Sequence, residues 1–254
     1  MPSTGSTRGP IAIGAILAIC SVRPSLLAQA DVRVLAGDVT DARYSGGDRA
    51  GGLSLKVKVR GDGMDGVEAF RFLLAEARDN LGNSILPEKR DPPAFRDVRG
   101  DRAEESLSLR NPAREASSFS VSGRVELFVP GRDPDAVVKV ARALARPDRP
   151  LSSPGLTAAH VKLTVLPRAG RPQEIVSLRG RTVDFDGIRS IRILRSDGAE
   201  IRVVARSWWS DSGETVMTLE ASEPVPANAS LVFALLTSRS RVSVPFELKE
   251  IPLP

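Results

Sequence analysis

The sequence predicts an all-β protein of two antiparallel β-sandwiches. Three observations predict it. Apolar and polar residues alternate with a period of two in many short stretches. Gly, Pro, Asp and Asn fill the gaps between those stretches. Only one segment, residues 135–145, has the composition of a helix.

Leu53-Ser-Leu-Lys-Val-Lys-Val59 alternates cleanly, and so does Val67-Glu-Ala-Phe-Arg-Phe72, running on through Ala77. Leu107–Leu109, Phe119–Val121, Val125–Val129, Val137–Val140 and Val161–Val165 follow. A period of two buries one face of a strand and wets the other. Turn residues separate the runs: Arg-Gly-Asp-Gly at 60–63, Asp-Asn-Leu-Gly at 79–82, Pro-Gly at 130–131. In Asp135–Ala145 the alanines and Leu144 favour a helix, but Val-Val-Lys-Val favours a strand. Pro147, Pro150 and Pro154 end regular structure soon after, so the segment reads as strand, then loop.

Arg168-Ala-Gly-Arg-Pro172 reads as a linker. Beyond it alternation restarts at Ile175–Leu178 and continues through Ile188–Ile193, Glu200–Val204, Val216–Leu219, Leu231–Leu236 and Val242–Val244. The expected division is a leader over 1–30, one sandwich over 31–167, a linker over 168–173 and a second sandwich over 174–254. A single large sandwich is the alternative. Asp65-Gly-Val-Glu-Ala-Phe-Arg-Phe72 echoes Asp186-Gly-Ile-Arg-Ser-Ile-Arg-Ile193, which suggests duplicated units. Any Asp-Gly turn entering a strand would look the same.

The leader is read from order. A polar start carries Arg8, an apolar run follows from Ile11 to Cys20, and Arg23-Pro24 breaks it. Ala28-Gln29-Ala30 then has the small-x-small form that a signal peptidase reads. The run is too short to span a bilayer, which takes about 20 apolar residues. Export with cleavage after Ala30, to periplasm or outside, is expected. A lipoprotein anchored at Cys20 is the alternative, weakened by Ile19 where a small residue is wanted.

Composition then excludes function classes. The chain has one Cys. Cleavage would leave none, so no disulfide, thiolate ligand or thiol nucleophile remains. Basic residues number 36 and acidic 31, and without Arg8 and Arg23 the excess falls to three. No run of five like charges occurs, so the footprint of nucleic-acid binding is missing. The single His, His160, cannot build a His-based zinc site, and no Gly-x-Ser-x-Gly elbow supplies a serine for a triad. No catalytic, cofactor or metal residue is expected, and the chain reads as non-enzymatic. A hydrolase using two carboxylates stays open, although aromatics for gripping sugar are only 4 % of residues. Asp79-Asn-Leu-Gly-Asn83, Asp62 with Asp65, and Asp184 with Asp186 cluster oxygens as calcium sites do, yet Asp and Asn are also the ordinary residues of turns.

Trp208-Trp209 is the expected ligand-contact pair. Adjacent strand residues point to opposite faces, so one of them can face outward. An outward Trp on a β-sandwich is a platform for a sugar ring or a protein interface. The plainer expectation is that both are packed, one in the core and one under a loop or the neighbouring domain.

The ending Val244-Pro-Phe-Glu-Leu-Lys-Glu-Ile-Pro-Leu-Pro254 and the stretch Ser122-Gly-Arg-Val-Glu-Leu-Phe-Val-Pro130 resemble uncharacterised exported bacterial β-sandwich proteins. The resemblance implies a tandem immunoglobulin-like or fibronectin-like architecture. It implies no activity and transfers no site residue. The expected function is an envelope or secreted module that binds another protein through strand edges and charged loops. A carbohydrate-binding module that meets a cell-envelope glycan with Trp208 or Trp209 is the alternative.

Overall fold

The computed structural model describes residues 32–43, 51–88, 92–98, 103–167 and 172–254. The expected leader, its cleavage site and Cys20 lie outside the described residues.

The all-β expectation holds: four antiparallel sheets account for most of the chain. The first pair of sheets is β1 (Arg33–Ala42), β2 (Gly52–Arg60) and β5 (Ala103–Leu109) against β15 (Arg241–Pro252), β6 (Ser118–Phe128), β3 (Ala69–Asp79) and β4 (Arg96–Asp97). Within them the strands neighbour one another in the orders β1-β2-β5 and β15-β6-β3-β4. The second pair is β11 (Glu200–Ile201), β10 (Ile188–Leu194), β14 (Ser230–Leu235) and β7 (Val137–Val140) against β12 (Val203–Asp211), β13 (Glu214–Ala221), β9 (Ile175–Arg181) and β8 (Thr164–Val165). Two five-residue helices, α1 (Pro154–Ala158) and α2 (Thr182–Asp186), belong to the second pair.

Each pair of sheets closes on its own core. Leu53, Leu55, Val57 and Val59 of β2 meet Phe70 and Phe72 of β3 and Phe119, Val121, Val125 and Leu127 of β6. Val176 and Leu178 of β9 and Met217 and Leu219 of β13 meet Ile191, Ile193, Leu231 and Phe233 from the facing sheet. In β2 and β13 the alternation seen in sequence is the burial pattern, as a two-layer fold requires, whereas β14 is buried on both faces.

Strand pairing crosses the expected division. Most of the expected linker, residues 168–171, lies outside the described residues. The strands on either side of it, β8 and β9, pair with each other: Thr164 lies opposite Arg179 and Val165 opposite Leu178. Val137–Val140, expected in the first unit, pairs with β14 in the second. Arg241–Pro252, expected in the second unit, pairs along β6 in the first, from Phe128 opposite Arg241 to Ser118 opposite Pro252. The chain thus leaves the first core after β6, builds the second, and returns through β15.

The two crossings, 129–136 and 236–240, run side by side and are clasped. Val129 N donates to Ser240 O at 2.8 Å. Buried Asp133 accepts from the Thr237 hydroxyl at 2.5 Å and from Asp135 N at 3.1 Å. Those bonds hold its carboxyl below the ordinary range. Next to the clasp, Ala69, Phe128 and Ala234 form a third small apolar cluster that seals the junction.

Other differences have local causes. β1 was not expected, because a register shift between Ala36 and Val39 interrupts its alternation. The expected strand at 161–165 pairs only at Thr164–Val165, since Lys162 N donates to the Asp184 carboxylate and Val161 N to Leu156 O. Glu200–Val204 splits at Arg202 between facing sheets. The Asp-Gly echo is not a shared turn: Gly66 has φ +71°, whereas Gly187 closes α2 at φ −80°.

Candidate functional site

The site is built on an edge strand. β12 pairs with β13 on one side only, and it is exposed from Val204 to Asp211. Asp211-Ser-Gly-Glu214 makes the hairpin. Ser212 at φ 51° and Gly213 at φ 86° give the two positive angles that a two-residue primed turn requires.

Both tryptophans are exposed, Trp208 at 56 % and Trp209 at 64 %. Trp208 lies opposite Met217 and Arg206 opposite Leu219, both core residues, so these two share the inner face. Trp209 lies opposite Val216, which in turn is opposite Arg179, so it shares the outer face with a cation. The choice that sequence leaves between packed and outward is answered for both residues: neither is buried.

The inner face is propped by α2. Asp184 is 2 % exposed and accepts from Arg181 N and from the Arg181 guanidinium, each at 3.0 Å, and from Lys162 N at 3.3 Å. Arg181 first, aided by the two amides and against desolvation, holds the Asp184 carboxyl below the ordinary range. This cap fixes α2 and seats Phe185 in the core. Trp208 then meets the Phe185 ring edge-on, with centroids 5.9 Å apart at 83°. A hydroxyl chain of Ser210, Thr215 and Thr182, with links of 2.8 and 3.0 Å, ties the hairpin tip to the same helix.

Sequence reasoning missed the charges beside the tryptophans. Arg206 donates to Ile191 O at 3.4 Å. Burial, then the Arg189 charge, lowers its pKa against the pull of Asp97. Arg189 is held by Asp97 of β4, yet its buried Nε has no partner among the described residues. A cleft of about 360 Å³ beside β12 is lined by Arg192, Arg202 and Arg206 with Glu200 as its one carboxylate. In a chain with 30 arginines among 254 residues, these gave no signal by themselves. Only the pairing of β10 with β11 and the turn into β12 bring these four guanidiniums together.

Of the Asp-rich turns, two hold backbone through Asp79 and Asp184. Asp79, 4 % exposed, accepts from Leu81 N, Asn83 N, Asn83 Nδ2 and Ala113 N. Burial pushes its carboxyl up, but these bonds outweigh it and leave it low. Among the described residues no three of His, Cys, Asp and Glu converge as a metal site would need. His160 sits in a loop with φ 57°, before the strand it was expected to begin.

Asp79 and Asp184 make an acid-side prediction. Both folded carboxyls ionise below the unfolded value of about 3.9. Their contribution is present above about pH 4 and is lost as pH falls through the folded pKa. Asp184→Asn should cost about 2 kcal/mol at pH 7, and the gap from the parent should narrow toward pH 3 in urea melts. A constant gap would mean that the cap works without its charge.

Among the described residues no helix is long and apolar enough to cross a membrane. No family model, no curated protein and no solved structure matches this chain.

Proposed function

We propose that the chain is a non-enzymatic, exported binding protein that takes an extended polypeptide segment along β12. Its two sandwiches are read as immunoglobulin-like domains, the second inserted between β6 and β15 of the first. One observation carries the reading: an edge strand of nine residues, exposed over nearly its whole length, bears a Trp on each face. An open edge offers unpaired N–H and C=O groups, and alternate side chains give selectivity.

Native edges are normally blunted by bulges or inward charges. β12 has both, a register shift between Val203 and Ala205 and the inward Arg206, but both lie in its first half. Ser207–Asp211, which carries the tryptophans, has neither. Exposed Trp is costly to keep unless a partner covers it.

A specific observation favours a second reading. Trp209 stands on a face with Arg179 and Thr218, the mix of flat ring and polar groups that grips a sugar. Amide hydrogen exchange separates the two. An added strand should protect backbone amides of Ser207–Asp211 at least ten-fold. A cell-wall glycan should quench Trp209 fluorescence and leave those amides unchanged. Trp209→Ala should shift the melting temperature by under about 2 °C, because its ring is mostly in solvent. A larger shift would make it a structural residue.

A further inference from the structure

The inner face of β12 carries an aromatic and a cation two residues apart. Trp208 and Arg206 both point toward the open side of the second sandwich, where β11 covers only Ile193 and Leu194 of β10. Arg206 therefore reaches the bare edge of β10 at Ile191 O. Around it the charges do not balance. Arg202 has no carboxylate partner among the described residues. Arg192 meets Glu200 at 3.7 Å. Arg189 has Asp97, whose own side chain is 75 % exposed. Four guanidiniums thus share two carboxylates.

Like charges gathered with too few carboxylates raise energy in the empty protein. Arg189 adds a second defect, a buried Nε donor with no acceptor. A ligand carboxylate facing Arg206 would relieve the first, because a guanidinium fork takes two oxygens at once.

We propose that the segment added to β12 is acidic, with a carboxylate side chain two residues from an apolar one. The spacing comes from the strand period. An added strand turns every second side chain to the inner face, so one meets Trp208 and the next meets Arg206. This rests on the strand-addition reading. It also gives the edge selectivity, since a basic segment would meet Arg206 beside Arg192 and Arg202.

Three capped octapeptides test it. One repeats Glu-Thr-Val-Thr, one has Ser in place of Glu, and one has Lys. A sulfated hexasaccharide of the heparin type is the fourth probe. Binding is read by Trp fluorescence and by exchange at Ser207–Asp211. The Glu peptide should bind about ten-fold tighter than the Ser peptide in 50 mM salt, with the Lys peptide weakest and the advantage shrinking in 500 mM salt. Arg206→Gln should bring the Glu-to-Ser ratio toward one, and Arg206→Lys should restore part of it. Thermal melts of each variant check that the fold is intact. Equal affinity for the Glu and Ser peptides, or an unchanged ratio in Arg206→Gln, would overturn the acidic preference and leave strand addition standing. No binding by any peptide would overturn strand addition itself. Binding of the hexasaccharide alone would place the anion preference on a glycan and overturn the peptide proposal.

Discussion

Gly123→Ala should destabilise the protein by about 3 kcal/mol, roughly 6–12 °C in melting temperature. Gly123 sits in the middle of β6, opposite Leu74 of β3 on one side and Phe246 of β15 on the other. β3 carries an extra residue there, Ala75, in a bulge between Leu74 and Glu76. The bulge has a purpose in packing. Phe70 and Phe72 are buried before it, and Ala77 and Asp79 after it, so it shifts the buried parity from even to odd positions. A bulged strand kinks toward its partner, and here the backbone of Leu73–Leu74 is what comes close. A methyl on Gly123 would lie 2.3 Å from Leu73 O and 3.0 Å from Leu74 Cα. Both are backbone atoms, which cannot rotate away. Gly155 offers the comparison. Its added methyl would meet Val138 Cγ2 at 2.4 Å, a side-chain atom that has other rotamers, so Gly155→Ala should cost less. Gly131 has nothing within 4 Å, and Gly131→Ala should be close to neutral. Urea melts of the three variants test this order. A neutral Gly123→Ala would mean that the bulge is plastic and does not pin the register.

Periodicity marked Leu53–Val59 and Phe70–Phe72 because their burial alternates; Leu231–Leu236 was marked too, but β14 is an apolar run buried on both faces. It missed β1, where Gly37 and Asp38 break the register, and it ended the strand after Val204. Ser207, Trp208 and Trp209 are all exposed, so no alternation between wet and buried exists to be read there. The Trp pair was legible as unusual, and its two-faced placement followed from the strand period. Arg189 and Arg206 were not legible, because their closeness depends on strands brought together by pairing. Domain order was hidden for a similar reason. Alternation reports which residues are inside, and it is silent on which core they are inside of. Val244 reads the same in either sandwich; only its pairing with Val125 assigns it to the first.

That assignment carries the second large effect. A chain of residues 31–167, the unit that sequence spacing suggested, should fail to fold cooperatively. It lacks β15, which pairs with β6 along nearly its whole length. It loses buried Val244 and Ile251, and Phe246, whose ring meets Phe72 at 5.7 Å and 89°. It also keeps β7 and α1, whose apolar residues then have no core to enter. The converse deletion should fold. Removing 132–238 joins Gly131 to Arg239 and leaves five residues between Phe128 and Arg241, which already face each other across the ladder. Five residues suffice for a hairpin loop, and the loop closed is far shorter than the natural one, which lowers its entropic cost. The deletion uncovers Phe128 and Ala69, which Ala234 had sealed. Phe128→Thr in the deletion chain removes that patch before it can drive association. Circular dichroism and urea titration should give a single sigmoid for the deletion chain and a shallow, non-cooperative drift for 31–167. A cooperative transition in 31–167 would make β15 a mere cover on β6. Loss of folding in the deletion chain would mean that the first core depends on the second, with the clasp at Asp133, Thr237 and Ser240 as the route of that dependence.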